Sequence, residues 1–161
     1  MKSSCCFIGH REIKVTEILK LELNKLIINL ISNARVTTFL FGSKSKFDTL
    51  CYEVIRKIKE DYPHIRRIYV RSMYEDISDS YEEYLLSLYE ETYIPKSVVN
   101  SGKLSYIKRN QYMIDMSDYC VFFYDVSYEP PNRRNKSKSG TKIAYEYAVS
   151  KKKKIINVCL R

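Results

Sequence analysis

Short apolar runs alternate with longer amphipathic segments from one end of the chain to the other. Residues 5–8, 37–41, 67–70, 119–124 and 154–160 are runs of apolar, β-branched and aromatic side chains, and each is short enough to be a buried strand. Between the first two runs, Leu19, Leu23, Leu26, Ile27 and Leu30 recur at helical spacing behind Thr16, a suitable helix cap. Between the second and third, Phe47, Leu50, Cys51, Val54 and Ile58 form a second apolar face, which must end before Pro63. Strands separated by helices rather than by tight turns imply parallel pairing, because a parallel neighbour is reached only through a crossover. The pattern predicts an α/β fold: a Rossmann-like three-layer sandwich. Its mostly parallel five-stranded sheet has helices on both faces and the order 3-2-1-4-5. A chain of 161 residues is expected to form one domain, residues 1–161.

One stretch departs from this rhythm. Residues 80–92 read as a helix with Tyr81, Tyr84, Leu85, Leu88 and Tyr89 on its apolar side, and 93–102 read as a loop containing Pro95. That is too long for a strand-to-helix turn, so a lid or a homodimer surface is expected there. A further helix runs from 103 or 104 to 117, and another from 142 to 150.

Composition narrows the partners. The formal charge is +9, concentrated partly in Arg133, Arg134, Lys136 and Lys138 and in the lysine run at 151–154. Such a balance favours an anionic partner, a phosphorylated small molecule or a nucleic acid. Single-stranded nucleic acid is the weaker match, because the basic loop has only Tyr128 near it for stacking. The five cysteines lack the spacing of a zinc site and sit in apolar runs or on an apolar helix face, so a reducing, cytoplasmic setting is expected, with no metal, no cofactor and no membrane partner.

In open α/β sheets ligands sit beyond the carboxyl ends of the strands. Three such ends carry suggestive residues. The first strand runs into Gly9, His10 and Arg11; the second into Gly42, Ser43 and Lys44, with Asp48 in the helix turn that follows; the fourth into Asp125 and, after a polar loop, Ser139, Gly140 and Thr141. Glycine allows close backbone approach, arginine donates to phosphate, and the small-residue turn opens a helix whose free amides suit an anion. Ser139 or Thr141 is equally suited to plain capping. Asp48 is open to two roles, acceptor from a ribose hydroxyl or acidic complement to the helix dipole. Arg109 and Asn110 come from the helix before the fourth strand and can reach the same crevice.

In this order, Phe7-Ile8-Gly9-His10-Arg11, Phe41-Gly42-Ser43-Lys44-Ser45-Lys46-Phe47-Asp48, Arg109-Asn110-Gln111-Tyr112-Met113-Ile114-Asp115 and Ser139-Gly140-Thr141, the sequence resembles the SLOG superfamily, and in particular its YpsA-like branch. The resemblance spans nearly the whole chain. It implies a Rossmannoid sheet that binds a nucleotide or an ADP-ribose-like ligand, with dimers common among relatives. Those relatives include the Lonely-Guy phosphoribohydrolases, the DNA-processing protein DprA and ligand-sensing domains of bacterial immune systems. Two departures from the family pattern stand out. Ser43 and Lys46 replace glycines of the second motif. Ala144 stands where the phosphoribohydrolases place their catalytic glutamate after Gly-Thr.

Three functions follow as expectations. The first is a nucleotide-binding or sensor domain that uses the residues named above. The second is an N-glycosidic hydrolase with Asp48, Asp125 or Glu146 as the acting carboxylate; Glu146 lies about 200° around the helix from Ala144, which counts against it. The third is a single-stranded nucleic-acid binder.

Overall fold

The computed structural model describes residues 2–73, 78–128 and 139–159. The basic residues Arg133, Arg134, Lys136 and Lys138 lie outside the described residues.

Among the described residues six strands form one sheet: β1 (Ser3–Gly9), β2 (Val36–Phe41), β3 (Arg66–Val70), β4 (Glu91–Tyr93), β5 (Tyr119–Phe123) and β6 (Lys154–Asn157). Their order is β4-β3-β2-β1-β5-β6, and every pairing is parallel. The helices are α1 (Glu17–Ser32), α2 (Lys46–Asp61), α3 (Asp79–Leu88), α4 (Ser105–Asp115) and α5 (Gly140–Ser150).

Side-chain alternation along the strands builds two cores, one on each face. Cys5 and Phe7 of β1, Phe39 and Phe41 of β2, Tyr69 of β3 and Val121 of β5 pack with α1, α2 and Leu85 of α3. Cys6, Ile8, Leu40, Ile68, Val70, Cys120 and Phe122 point the other way, against Met113 and Ile114 of α4 and Ala144 and Ala148 of α5. Burial on both faces explains why the strands read as continuous apolar runs rather than as alternating ones. The result is the three-layer α/β sandwich.

The sheet of the described residues has six strands where five are expected, and the expected parallel pairing holds throughout. The expected order 3-2-1-4-5 is present, with β4 added outside β3. This strand occupies the end of the segment read as helix 80–92. The helix instead stops at Leu88, where Tyr89 turns extended at φ −122°, ψ 151°. Tertiary pairing decides it. Buried Tyr69 needs a ladder partner on its outer side, and Thr92 donates its hydroxyl to the Tyr69 carbonyl at 2.8 Å. Glu90 anchors the turn through Arg67 at 3.0 Å and Lys59 at 2.9 Å. A three-residue edge strand leaves too little sequence pattern to outvote the helical spacing before it.

The tyrosine stretch divides accordingly. Tyr89 packs against Phe41, Tyr52 and Tyr69 inside the sandwich, while Tyr84 and Leu86 are exposed. The next helix begins as a 3-10 turn over Gly102–Leu104 and continues as α4.

The chain winds outward from β1 to β4, then returns to place β5 on the other side of β1. The direction of winding therefore reverses between β1 and β5, and adjacent loops part there to leave a crevice at the carboxyl ends.

Candidate functional site

A cavity of about 570 Å³ lies at that reversal. Its wall contains Gly9, His10 and Arg11 after β1, Gly42, Ser43 and Lys44 after β2, Arg109 and Asn110 of α4, and Ser139, Gly140 and Thr141 at the start of α5. Of the expected ligand contacts, only Asp48 stands outside the wall. Phe7, Ile8, Glu12, Ser45, Tyr106, Met113 and Tyr128 complete it. Tyr106 and Met113 carried a usable signal: with Arg109 and Asn110 they recur at i, i+3, i+4 and i+7, one face of α4.

The first turn is shaped by packing. A side chain at Gly9 would place Cβ 2.4 Å from the Phe47 ring, which is fully buried, so only glycine lets β1 end against α2. The Arg11 carbonyl accepts from the Lys46 amide at 2.8 Å, and Glu12 pairs with Lys46 Nζ at 2.7 Å, tying the two loops together. Arg11 itself is exposed on the cavity wall.

The second turn is closed by Asp48. Its Oδ2 accepts from the Gly42 amide at 3.2 Å and the Ser43 amide at 2.9 Å. Ser45 caps α2 by accepting from the Asp48 amide at 3.1 Å, and the Ser45 amide donates to the Ser43 hydroxyl. Asp48 is 3 % exposed and its Oδ1 has no hydrogen-bond partner. Burial pushes its carboxyl up to about 6, against the pull of the two amides and of Arg109. Asp48 therefore holds the β2–α2 turn and stands off the cavity wall. Gly42 is glycine for a steric reason: a Cβ there would lie 2.5 Å from Met113 Sδ and 2.8 Å from Arg109 Cδ. The missing side chain lets Arg109 cross the cavity floor, where its guanidinium reaches Asn110 Oδ1 at 3.3 Å and the Tyr106 ring at 5.4 Å.

At the third turn Ser139 caps α5, accepting from the Lys142 amide at 3.1 Å. Among the described residues no oxygen accepts from the Gly140 or Thr141 amide. A Cβ at Gly140 would meet nothing within 4 Å. Two amides at a helix start thus border the cavity, where the helix dipole is positive.

His10 joins the first and third turns. It is 2 % exposed, its Nε2 accepts from the Asp125 amide at 2.9 Å, and its ring stacks on Tyr128 at 4.0 Å. Burial lowers its basicity, partly offset by the Asp125 carboxylate.

The carboxylates expected for hydrolysis are placed elsewhere. Asp125 is folded into its own turn, accepting from the Ser127 amide and hydroxyl at 2.9 and 2.7 Å. Glu146 is exposed on α5 and off the cavity wall. Ala144 is buried in the core shared with Phe122 and Met113. Among the described residues the one carboxylate on the wall is Glu12, exposed and paired with Lys46. Among the described residues no cluster of metal-binding side chains occurs and no helix is long and apolar enough to cross a membrane.

None of the curated proteins compared with the chain matches it. The family comparison is decisive over almost the whole length: residues 6–160 match the YspA SLOG family. That span takes in all four glycine- and arginine-bearing segments around the cavity, and the chain belongs to this family.

Proposed function

We propose that the protein binds a phosphorylated, nucleotide-derived ligand in the cavity between β1 and β5, as a binding or sensor domain. The observation that carries this reading is the pair of Gly140 and Thr141 amides, which border the cavity and have no acceptor among the described residues. A helix start of this kind stabilises a phosphate oxygen through both hydrogen bonding and the helix dipole. Arg11 supplies a cation on the same wall. The remainder of the ligand lies across Gly42, where the Arg109 guanidinium, the Asn110 amide and the Tyr106 ring offer donors and a stacking face. The volume suits a ligand of nucleotide size. SLOG family membership supports the same class of ligand. The test is thermal stability with mono- and dinucleotides, cyclic nucleotides and ADP-ribose derivatives. A binder raises the melting temperature by linkage; no shift with any of them at millimolar concentration overturns the reading.

Membership also supports a second reading, cleavage of a nucleotide N-glycosidic bond. General acid–base work needs a carboxylate within hydrogen-bond reach of the sugar. With Glu12 paired and Asp48 off the wall, Glu12 is the sole carboxylate of the described wall. Chromatography of nucleoside monophosphates after incubation, showing free base lost in Glu12→Gln, would favour this reading over simple binding.

A further inference from the structure

We infer that His10 is a neutral ligand contact, locked in one tautomer so that its Nδ1–H donates to an oxygen of the bound phosphorylated ligand. The inference rests on the binding reading above and specifies one of its contacts. An imidazole nitrogen that accepts a backbone N–H carries no proton, so the 2.9 Å bond from the Asp125 amide fixes Nε2 as the bare nitrogen. The proton of the neutral ring then sits on Nδ1. Nδ1 has no protein acceptor among the described residues, although the residue is 98 % buried and forms part of the cavity wall. Nδ1 is not fully enclosed, so it faces the cavity, where water or a ligand takes its hydrogen bond. Tyr128, stacked on the ring, holds its plane.

The charged and titratable groups around the ring come from three sides. Asp125, Tyr124 and Tyr128 belong to the end of β5 and its turn. Arg11 and Glu12 follow His10 in its own loop, and Lys44 and Arg109 face it across the cavity. A protonated His10 would add positive charge to an already basic wall and would lose the Asp125 amide as a partner. Acidification therefore weakens ligand binding here, whereas a histidine that binds phosphate as a cation strengthens it.

Imidazole ¹⁵N spectra test the lock without any ligand. At neutral pH they should show a proton on Nδ1 and none on Nε2; a proton on Nε2 overturns the inference. Titration with ADP-ribose, whose pyrophosphate keeps its charge in this range, tests the contact. Affinity should fall as the pH drops below about 6.5, because burial delays protonation of His10 to below the ordinary imidazole range, and a rise overturns it. His10→Gln puts an amide oxygen near Nε2 and no donor near Nδ1, so affinity should drop about tenfold with the turn intact. His10→Asn does the reverse: it keeps a donor near Nδ1 and loses the acceptor for Asp125. Both variants lose the ring stack, so the difference between them isolates the donor. Tighter binding by His10→Gln than by His10→Asn, or equal binding, overturns the inference. Wild-type protein that binds neither ADP-ribose nor any nucleotide at millimolar concentration overturns the site reading, and with it the ligand contact.

Discussion

The starts of α2 and α5 are built alike and left in opposite states. Each follows a strand end on the same cavity, and each is capped by a serine in nearly the same conformation, φ −65°, ψ 158° at Ser45 and φ −65°, ψ 155° at Ser139. Each serine accepts from the amide three residues on, at 3.1 Å. The residue at that third position differs: Asp48 in α2, Lys142 in α5. Asp48 folds back under the turn and takes the Gly42 and Ser43 amides, and the Arg11 carbonyl takes that of Lys46. Phe47, whose amide remains, does not line the cavity. Lys142 places a cation where the helix dipole is already positive, an arrangement that costs stability until an anion arrives. Of two similar helix starts, one has the turn before it closed by its own acid and serves as scaffold. The other borders the cavity with its Gly140 and Thr141 amides lacking an acceptor among the described residues.

The strongest way to break this comparison is to remove the charge that closes the turn before α2. Because burial raises the Asp48 carboxyl to about 6, the folded protein holds its proton to higher pH than the unfolded chain does. The unfolded chain therefore gains stability relative to the folded one as pH rises from about 4 to about 6. Above that the penalty is constant, of order 3 kcal/mol. Asp48→Asn keeps an amide oxygen for Gly42 and Ser43 but places an unpaired NH₂ at the Oδ1 position. Urea unfolding should show it destabilising near pH 4.5, with the deficit shrinking by about 2 kcal/mol by pH 7.5. A pH-independent difference would mean that Asp48 is ionised throughout and that the closure is an ordinary salt-linked one.

Next in size are the two glycines of these turns. Gly42→Ala pushes a methyl into Met113 and Arg109 and should cost about 1–3 kcal/mol. It should also lower ligand affinity, because Arg109 must leave the cavity floor. Gly140→Ala meets nothing within 4 Å, and its stability should be unchanged or slightly higher. Equal losses in both variants, by thermal unfolding, would erase the distinction between a packed and an open turn.

How much of this was legible in the sequence depends on how far each feature is local. The strands of the central sheet were legible because burial on both faces writes itself as a continuous apolar run; Cys5 to Ile8 is the plainest case. The strand at Glu91–Tyr93 was not, because it exists only through its partner β3. The glycine and arginine segments were legible as a set because sheet topology brings strand ends together, and Gly9, Arg11, Gly42 and Gly140 do share one wall. What each does there was not. Gly9 makes room for Phe47 and Gly42 for Met113, contacts across about 40 and 70 residues of chain that no local pattern encodes. Asp48 could be read as a ribose contact or as a complement to the helix dipole, and its bonds to the Gly42 and Ser43 amides came only with the fold. Tyr128 drew notice as a companion to the basic loop; its stacking on His10 came only with the fold.

A cleaner cut at the open turn is Gly140→Pro. Proline suits the first position of a helix, and its demand for an extended preceding residue is already met by Ser139 at φ −65°, ψ 155°. The substitution removes one amide donor and leaves the helix intact. Stability should hold, while affinity for ADP-ribose falls about tenfold, the effect of losing one charge-assisted hydrogen bond. Unchanged affinity by calorimetry would move the phosphate away from α5.

The smallest effect sharpens the comparison most, because it exchanges the character of the two helix starts. Lys142→Glu gives α5 the acid that α2 has. In the ligand-free protein the new charge complements the helix dipole and should stabilise by about 0.5–1 kcal/mol. For a domain of this size that raises the melting temperature by about 2–3 °C. The same charge should weaken anion binding, so the shift produced by a saturating nucleotide should shrink as the ligand-free melting temperature rises. The opposing signs are what matter. A general gain in stability would raise both forms equally, and a general loss would lower both. Only an anion site at the start of α5 makes the free protein more stable and the bound one less favoured through one side chain.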